Sequence, residues 1–193
     1  MREGELDFDI AVVGGGMVGA ALALACSGKG LSVAVVEARE PTRDWPRGQV
    51  DLRVSAISRA SQRILERLGA WGRIRELGAS PYREMRVWDA VGGGSIHFDC
   101  AELGEPDLGH IVENRVIQLA LWERLEAAAD VRLLCPAAGA ELTLNEEAAR
   151  LDLADGRRLT ARLLVGADGR DSWVRDRAGI ATRGWLYDLS LIH

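Results

Sequence analysis

The chain has little cysteine: Cys26, Cys100 and Cys135 are the only three in 193 residues, widely spaced and odd in number. No CxxC and no Cys/His ligand spacing occurs. This argues against a disulfide framework and a metal site, and it fits a reducing cytosol, with Cys26 a small buried helix residue. The first residues, Met1 to Asp7, are polar and acidic and do not read as a signal peptide. A bilayer-spanning run is lacking as well, since the nearest candidate, Ile10 to Cys26, is broken by three consecutive glycines. Positive charge is not in excess either. A net charge of −5 repels a phosphate backbone and argues against nucleic acid as a partner. The arginines of 43–86 are interleaved with glutamates and read as solvated helix faces. Finally, there is no Ser/His/Asp arrangement and no pair of catalytic acids. His97 and His110 stand in strand or loop contexts without a partner, which favours structural roles.

What is present is concentrated near the start. Ile10-Ala11-Val12-Val13 reads as a buried strand that runs into Gly14-x-Gly16-x-x-Gly19, and a small-residue helix, Ala20 to Cys26, follows. Each glycine has a physical task. Gly14 permits the tight turn out of the strand, Gly16 lets the backbone approach a pyrophosphate, and Gly19 lets the helix pack on the sheet. Met17 and Val18 lie inside the loop, where a helix N-terminus offers free N–H groups and a positive dipole end. A second apolar strand, Leu31 to Val36, ends in Glu37, 18 residues past Gly19. An acid there can accept both ribose hydroxyls and repels a 2′-phosphate. Strand, loop, helix, strand and acid together point to an adenine dinucleotide.

Further along, a turn-rich loop with Pro41, Trp45, Pro46 and Gly48 leads to Asp51–Ser58, a lead-in to a helix with Ser58 as N-cap and Gly69 as terminator. Trp71 to Leu77 reads as a second short helix. Met85–Asp89 and Ser95–Asp99, joined by Gly92-Gly93-Gly94, read as a hairpin. Ile111–Asn114 is a short strand before a helix from about Arg115 to Ala129, whose apolar positions Ile117, Leu121, Leu125 and Ala128 recur every three or four residues. Val131–Leu134 and Ala140–Leu144 follow as strands. Leu151–Leu153 and Arg158–Thr160 pair around Asp155-Gly156. Leu163–Gly166 reads as a separate buried strand, with Ala167-Asp168-Gly169 at its carboxyl end and a helix over Ser172–Ala178. The expected fold class is α/β, a Rossmann-like domain with a mainly parallel sheet. Such sheets bind ligands at the carboxyl ends of their strands, where the glycine loop and Asp168 loop would converge.

Three motifs give the chain a resemblance to the single-component FAD-dependent aromatic hydroxylases, and within them to the ubiquinone-biosynthesis hydroxylases. They are the Gly14–Gly19 loop with Glu37, the stretch Asp51–Ser58 followed by Leu68-Gly69-Ala70-Trp71, and Gly166-Ala167-Asp168-Gly169-Arg170-Asp171-Ser172-Trp173-Val174-Arg175. Val112 to Trp122 is similar to the quinone-pathway members too, so the likeness runs from about residue 8 to 187. The resemblance implies FAD held by Gly14, Gly16, Met17, Val18 and Gly19, with Glu37 on the adenosine ribose. It sets Arg53 near the flavin or pyrophosphate, Arg115 and Gln118 against the flavin, and Asp168 and Gly169 in a loop that orders the cofactor phosphates. It also implies NAD(P)H or another reductant, O₂, and a flavin C4a-hydroperoxide that hydroxylates a polyprenylated phenol or quinol ring. The cofactor then carries the hard chemistry. Cytoplasmic localisation follows, with peripheral attachment to the inner membrane or a biosynthetic complex left open.

Each site residue has a plainer alternative. Arg53 can be a surface arginine, Asp168 a turn residue, Arg115 and Gln118 simple helix-start groups, and Trp45, Trp71, Trp88 and Trp122 packing residues. By resemblance the family's chains are about twice as long. The expected organisation is therefore a partial monooxygenase domain. Its dinucleotide-binding segments span about 6–80 and 110–180, a hairpin at about 82–108 belongs to an inserted β-rich substrate domain, and a carboxyl-terminal half is missing. The stretch Tyr187–His193 departs from the family's continuation. Two other readings stay open: a non-catalytic or truncated FAD-binding module, and another FAD-dependent oxidoreductase of the same cofactor-binding type.

Overall fold

In the computed structural model, which describes residues 5–46 and 48–184, β1 (Glu5–Val13) runs through the centre of the main sheet. The Gly14–Gly16 turn joins it to α1 (Met17–Cys26), and β2 (Val33–Val36) returns beside it in parallel. All four β2 residues are 0–1% exposed, because this strand is covered on both faces. Burying one such valine contributes roughly 2 kcal/mol. Side chains alternate across it. Val33 and Val35 join Val12 in one apolar cluster, while Ala34 and Val36 join Ala11 and Val13 in the other.

A loop then leads to β3 (Val54–Ser58), α2 (Arg59–Arg67), α3 (Trp71–Gly78) and β4 (Ser80–Tyr82). The Ser58 side chain accepts from the Ser61 N–H at 3.3 Å, the expected N-cap, and Gly69 ends α2 at φ +73°. The stretch before Ser58, expected only as a lead-in to the helix, is a strand. Its ladder to a distant partner decides this, which local pattern does not reveal. The hairpin follows as β5 (Glu84–Trp88) and β6 (Ser95–Asp99), then a 3-10 turn over Cys100–Leu103.

Next come β7 (Gly109–Glu113), α4 (Asn114–Ala127) and β8 (Val131–Leu134). The chain closes its described part with β9 (Gly139–Leu144), β10 (Ala149–Leu153), β11 (Arg158–Gly166) and α5 (Trp173–Arg177). Arg158–Gly166 is one nine-residue strand, not two segments: its first half pairs with β10 and its whole length with β1. The main sheet has the order β8-β2-β1-β11-β10-β9, parallel from β8 to β11 and antiparallel beyond. A second sheet has the order β3-β7-β4, and among the described residues β5 pairs only with β6. The fold class is therefore α/β with a mainly parallel sheet, as expected.

Helices α1 and α4 cover one face of the main sheet and α3 packs against α4, with Ala20, Ala23, Ile74, Leu121 and Leu125 fully buried. Helix α4 ends next to β8, whose strand runs parallel to β2, so its first turn lies at the carboxyl ends of the parallel strands. The hairpin is exposed along β5 and most of β6, with Trp88 at 69% and Ile96 at 58%. Cys26 is half-buried, and the buried cysteine is Cys100. The arginines of 43–86 include tertiary ion pairs, Arg43 to Glu126 at 2.6 Å and Arg73 to Glu123 at 3.0 Å, beyond simple solvated helix faces. Tyr187–His193 lies outside the described residues. No helix among the described residues is long and apolar enough to cross a membrane.

Candidate functional site

The glycine loop closes on the Asp168 loop. A Cβ on Gly14, at φ +105°, would meet the Ala167 carbonyl oxygen at 2.4 Å, and one on Gly19 would meet the Gly14 oxygen at 1.9 Å. Both positions admit only hydrogen. Gly16 differs, since among the described residues nothing lies within 4 Å of where its Cβ would point. It is the N-cap of α1, extended at φ −67° and ψ −178°, with no side-chain cap. The N–H groups of Met17, Val18 and Gly19 in the first turn therefore have no intrahelical partner. A solvent-open cradle with free donors suits a pyrophosphate.

Glu37 follows β2, and its carboxylate is fixed by the main chain. Oε2 accepts the Gly15 N–H at 2.6 Å and Oε1 accepts the Arg39 N–H at 3.0 Å. Two lone pairs remain for further donors. Beside it opens a cavity of about 290 Å³ walled by Val13, Val36, Ala137, Ala138 and Trp173, an apolar niche next to a hydroxyl acceptor. Cys135 lies near, and burial, then the Glu37 and Glu40 carboxylates, push its thiol up. Other cavities, of about 510 Å³ beside Leu31 and Asp130 and about 330 Å³ beside Asp9 and Ser32, border the amino end of β2, the wrong end for ligands in such sheets.

Asp168 turns its carboxylate inward. It accepts the Ser172 hydroxyl and, at 3.0 Å, the Val174 N–H. Burial opposes its charged form, but the Ser172 and Val174 hydrogen bonds outweigh burial and hold the carboxyl below its ordinary range. Its observed task is to shape the turn with Gly169, at φ +91°, so that Ala167 seats Gly14.

The remaining three candidates gather where β3, β7 and α4 meet. The Arg53 carbonyl accepts the Asn114 N–H at 2.9 Å, and the Arg53 side chain is exposed. Arg115 donates to Glu113 Oε2 at 2.7 Å and to the Gln49 carbonyl, and its guanidinium lies 4.4 Å from the Trp45 ring centroid. It latches the β2–β3 loop to α4. Gln118 is half-buried one turn ahead of Trp122. Of the histidines, His97 meets Glu84 at 3.2 Å, and His110 stands edge-on to Trp71 at 5.0 Å. Sequence reasoning missed Gly15 and did not connect it to Trp122, whose Cζ3 would lie 2.5 Å from a Cβ on Gly15. No spacing rule links positions 15 and 122.

A parallel sheet carrying a glycine-rich turn, an open helix N-terminus and a strand-end acid defines a dinucleotide-binding α/β protein. The chain belongs to the FAD binding domain family, which matches residues 7–189. It is 42% identical over 179 residues to 3-demethoxyubiquinol 3-hydroxylase of Escherichia coli, covering 93% of this chain and 46% of that protein. Its identity to ubiquinone hydroxylase UbiL of Rhodospirillum rubrum is 39% over 184 residues, covering 95% and 42%. In fold it is similar to PqsL, a probable FAD-dependent monooxygenase from Pseudomonas aeruginosa, with a TM-score of 0.73 at 24% identity over 94% of this chain and 48% of that one. The chain thus spans less than half the length of these relatives.

Proposed function

We propose that the chain is the FAD-holding part of a monooxygenase that hydroxylates a polyprenylated phenol or quinol ring in ubiquinone biosynthesis. The observation that carries this is the open Gly16 cradle, locked between the Ala167–Gly169 turn and the Glu37 carboxylate. The names of the two relatives support the substrate class. In this reading the N–H groups of Met17, Val18 and Gly19 hold the pyrophosphate, with Gly16 allowing the close approach and Gly14 and Gly19 the tight packing of the loop. Glu37 accepts the adenosine ribose hydroxyls, and adenine enters the niche of Val36 and Ala137. Asp168 and Gly169 act through the turn they hold. Arg53, exposed beside the first turn of α4, is available to the flavin side, with Gln118 behind it. Arg115 keeps that side in register through Trp45.

Bound FAD would pass electrons from NAD(P)H or another reductant to O₂, one oxygen atom entering the ring as hydroxyl and the other leaving as water. The chain's own part is to orient the cofactor and exclude water around it. The hairpin segment 82–108 would belong to the substrate side, between dinucleotide-binding segments at about 6–80 and 110–180. Peripheral association with a membrane or a biosynthetic complex is part of the same proposal, since a polyprenyl substrate is apolar.

The test is the visible absorption spectrum of the chain after FAD addition and gel filtration. Retained flavin, weakened by Glu37→Ala, supports the reading, and a folded chain that retains none counts against it. A second reading is a non-catalytic FAD-binding module. Flavin binding with no NAD(P)H oxidation in the presence of a quinol precursor would select it.

A further inference from the structure

Trp122 is 2% exposed on α4. Its ring lies against the glycine loop. A Cβ on Gly15 would come within 2.5 Å of its Cζ3 and 3.0 Å of the Glu37 Cβ, so the ring and the Glu37 stem both lie against the face of Gly15 where a side chain would stand. From that seat the Gly15 N–H reaches Glu37 Oε2 at 2.6 Å. The Glu126 carboxylate lies beside the indole, its pKa lowered chiefly by Arg43 and in small part by Trp122, and Arg43 holds that carboxylate through two contacts at 2.6 and 3.3 Å. Arg43 lies on the segment that leaves Glu37, so the support returns to the acid it serves.

We propose that Trp122 is a positioning residue for the ribose end of the dinucleotide site. Its ring sets the height of the Gly15 main chain, the Gly15 N–H pins one oxygen of Glu37, and the remaining lone pairs of that carboxylate are held for a vicinal diol. The ligand class selected is an adenosine diphosphate with both ribose hydroxyls free. The inference rests on the reading of Gly14–Gly19 and Glu37 as the adenosine end of an FAD site. A tryptophan that only filled space would leave diol recognition untouched.

The experiment compares ADP with 2′-deoxy-ADP by titration calorimetry on the 193-residue chain and its Trp122→Leu variant. Hydrogen bonds to a carboxylate predict a preference for ADP of about tenfold or more in the parent chain. Trp122→Leu is expected to reduce that preference to less than about twofold, with 2′-deoxy-ADP binding little changed, since only the diol contact is lost. Trp71→Leu, a buried change in the core away from Glu37, should keep the preference. Near-ultraviolet circular dichroism checks folding. If Trp122→Leu does not fold, Trp122→Phe carries the test, because the smaller ring withdraws support from Gly15 and must lower the preference at least about threefold. Retained preference in the folded variant, or equal weakening of both ligands, overturns the proposal. If the parent chain binds neither ligand, or binds both alike, the adenosine reading itself fails and takes the proposal with it.

Discussion

The guanidinium of Arg115 lies 4.4 Å from the ring centroid of Trp45 while it donates to Glu113, joining the loop after Glu37 to the first turn of α4. Glu113 Oε2 also accepts the Asp51 N–H at 3.0 Å, so one carboxylate ties the loop and the helix together. Trp45→Ala should lower stability by about 1–2 kcal/mol through the lost stacking and packing. Arg115→Lys should not rescue the latch, because an ammonium has no planar fork. Urea midpoints check the first statement, and hydrogen exchange at the Asp51 amide, faster in either variant, checks the second.

Gly14 and Gly16 should separate folding from binding. Gly14→Ala forces a Cβ within 2.4 Å of the Ala167 oxygen at a positive φ, and should cost about 3 kcal/mol or more. Gly16→Ala meets open space at an ordinary φ, so its thermal midpoint should stay near the parent value. Its Cβ occupies the cradle, however, and FAD affinity should fall by at least about tenfold. Calorimetric melting and flavin retention read the two effects independently.

Asp168 gives a pH signature. Its folded carboxyl is held below the ordinary value of 3.8, which the unfolded chain regains. The stabilisation is therefore present above 3.8 and is lost as pH falls from there through the lower folded value. Asp168→Asn should remove this contribution, so that parent and variant differ most at neutral pH and converge in acid. Urea unfolding in buffers stepped down from neutrality measures it, and a constant difference at every pH would contradict the assignment.

Arg59 tests the other polar knot. It pairs with Glu105 at 2.7 Å and with Asp107 at 3.1 Å, the latter only 9% exposed. Arg59→Ala strands a buried carboxylate and should cost about 3 kcal/mol. Arg63, 62% exposed and 3.7 Å from Glu105, should change stability by less than about 0.5 kcal/mol when replaced by alanine. Chemical denaturation of both variants decides it.

The sequence by itself determined the local features. The strand–glycine loop–helix at 10–26, the acid at Glu37, the Ser58 cap and the Gly69 stop are written in residue type and short spacing, because each answers to backbone conformation or to a partner a few residues away. Fold class and the carboxyl-end placement of the two loops followed from these. Tertiary structure alone decided the rest. The Val54–Ser58 strand exists through its ladder to Gly109–Glu113, and the Arg158–Gly166 strand is continuous because β1 runs beside all of it. Arg115 is engaged by Trp45 and Glu113, Asp168 by its own helix, and Gly15 by Trp122. Such partners lie up to 153 residues apart, where no periodicity reaches, and packing rather than propensity chooses between them.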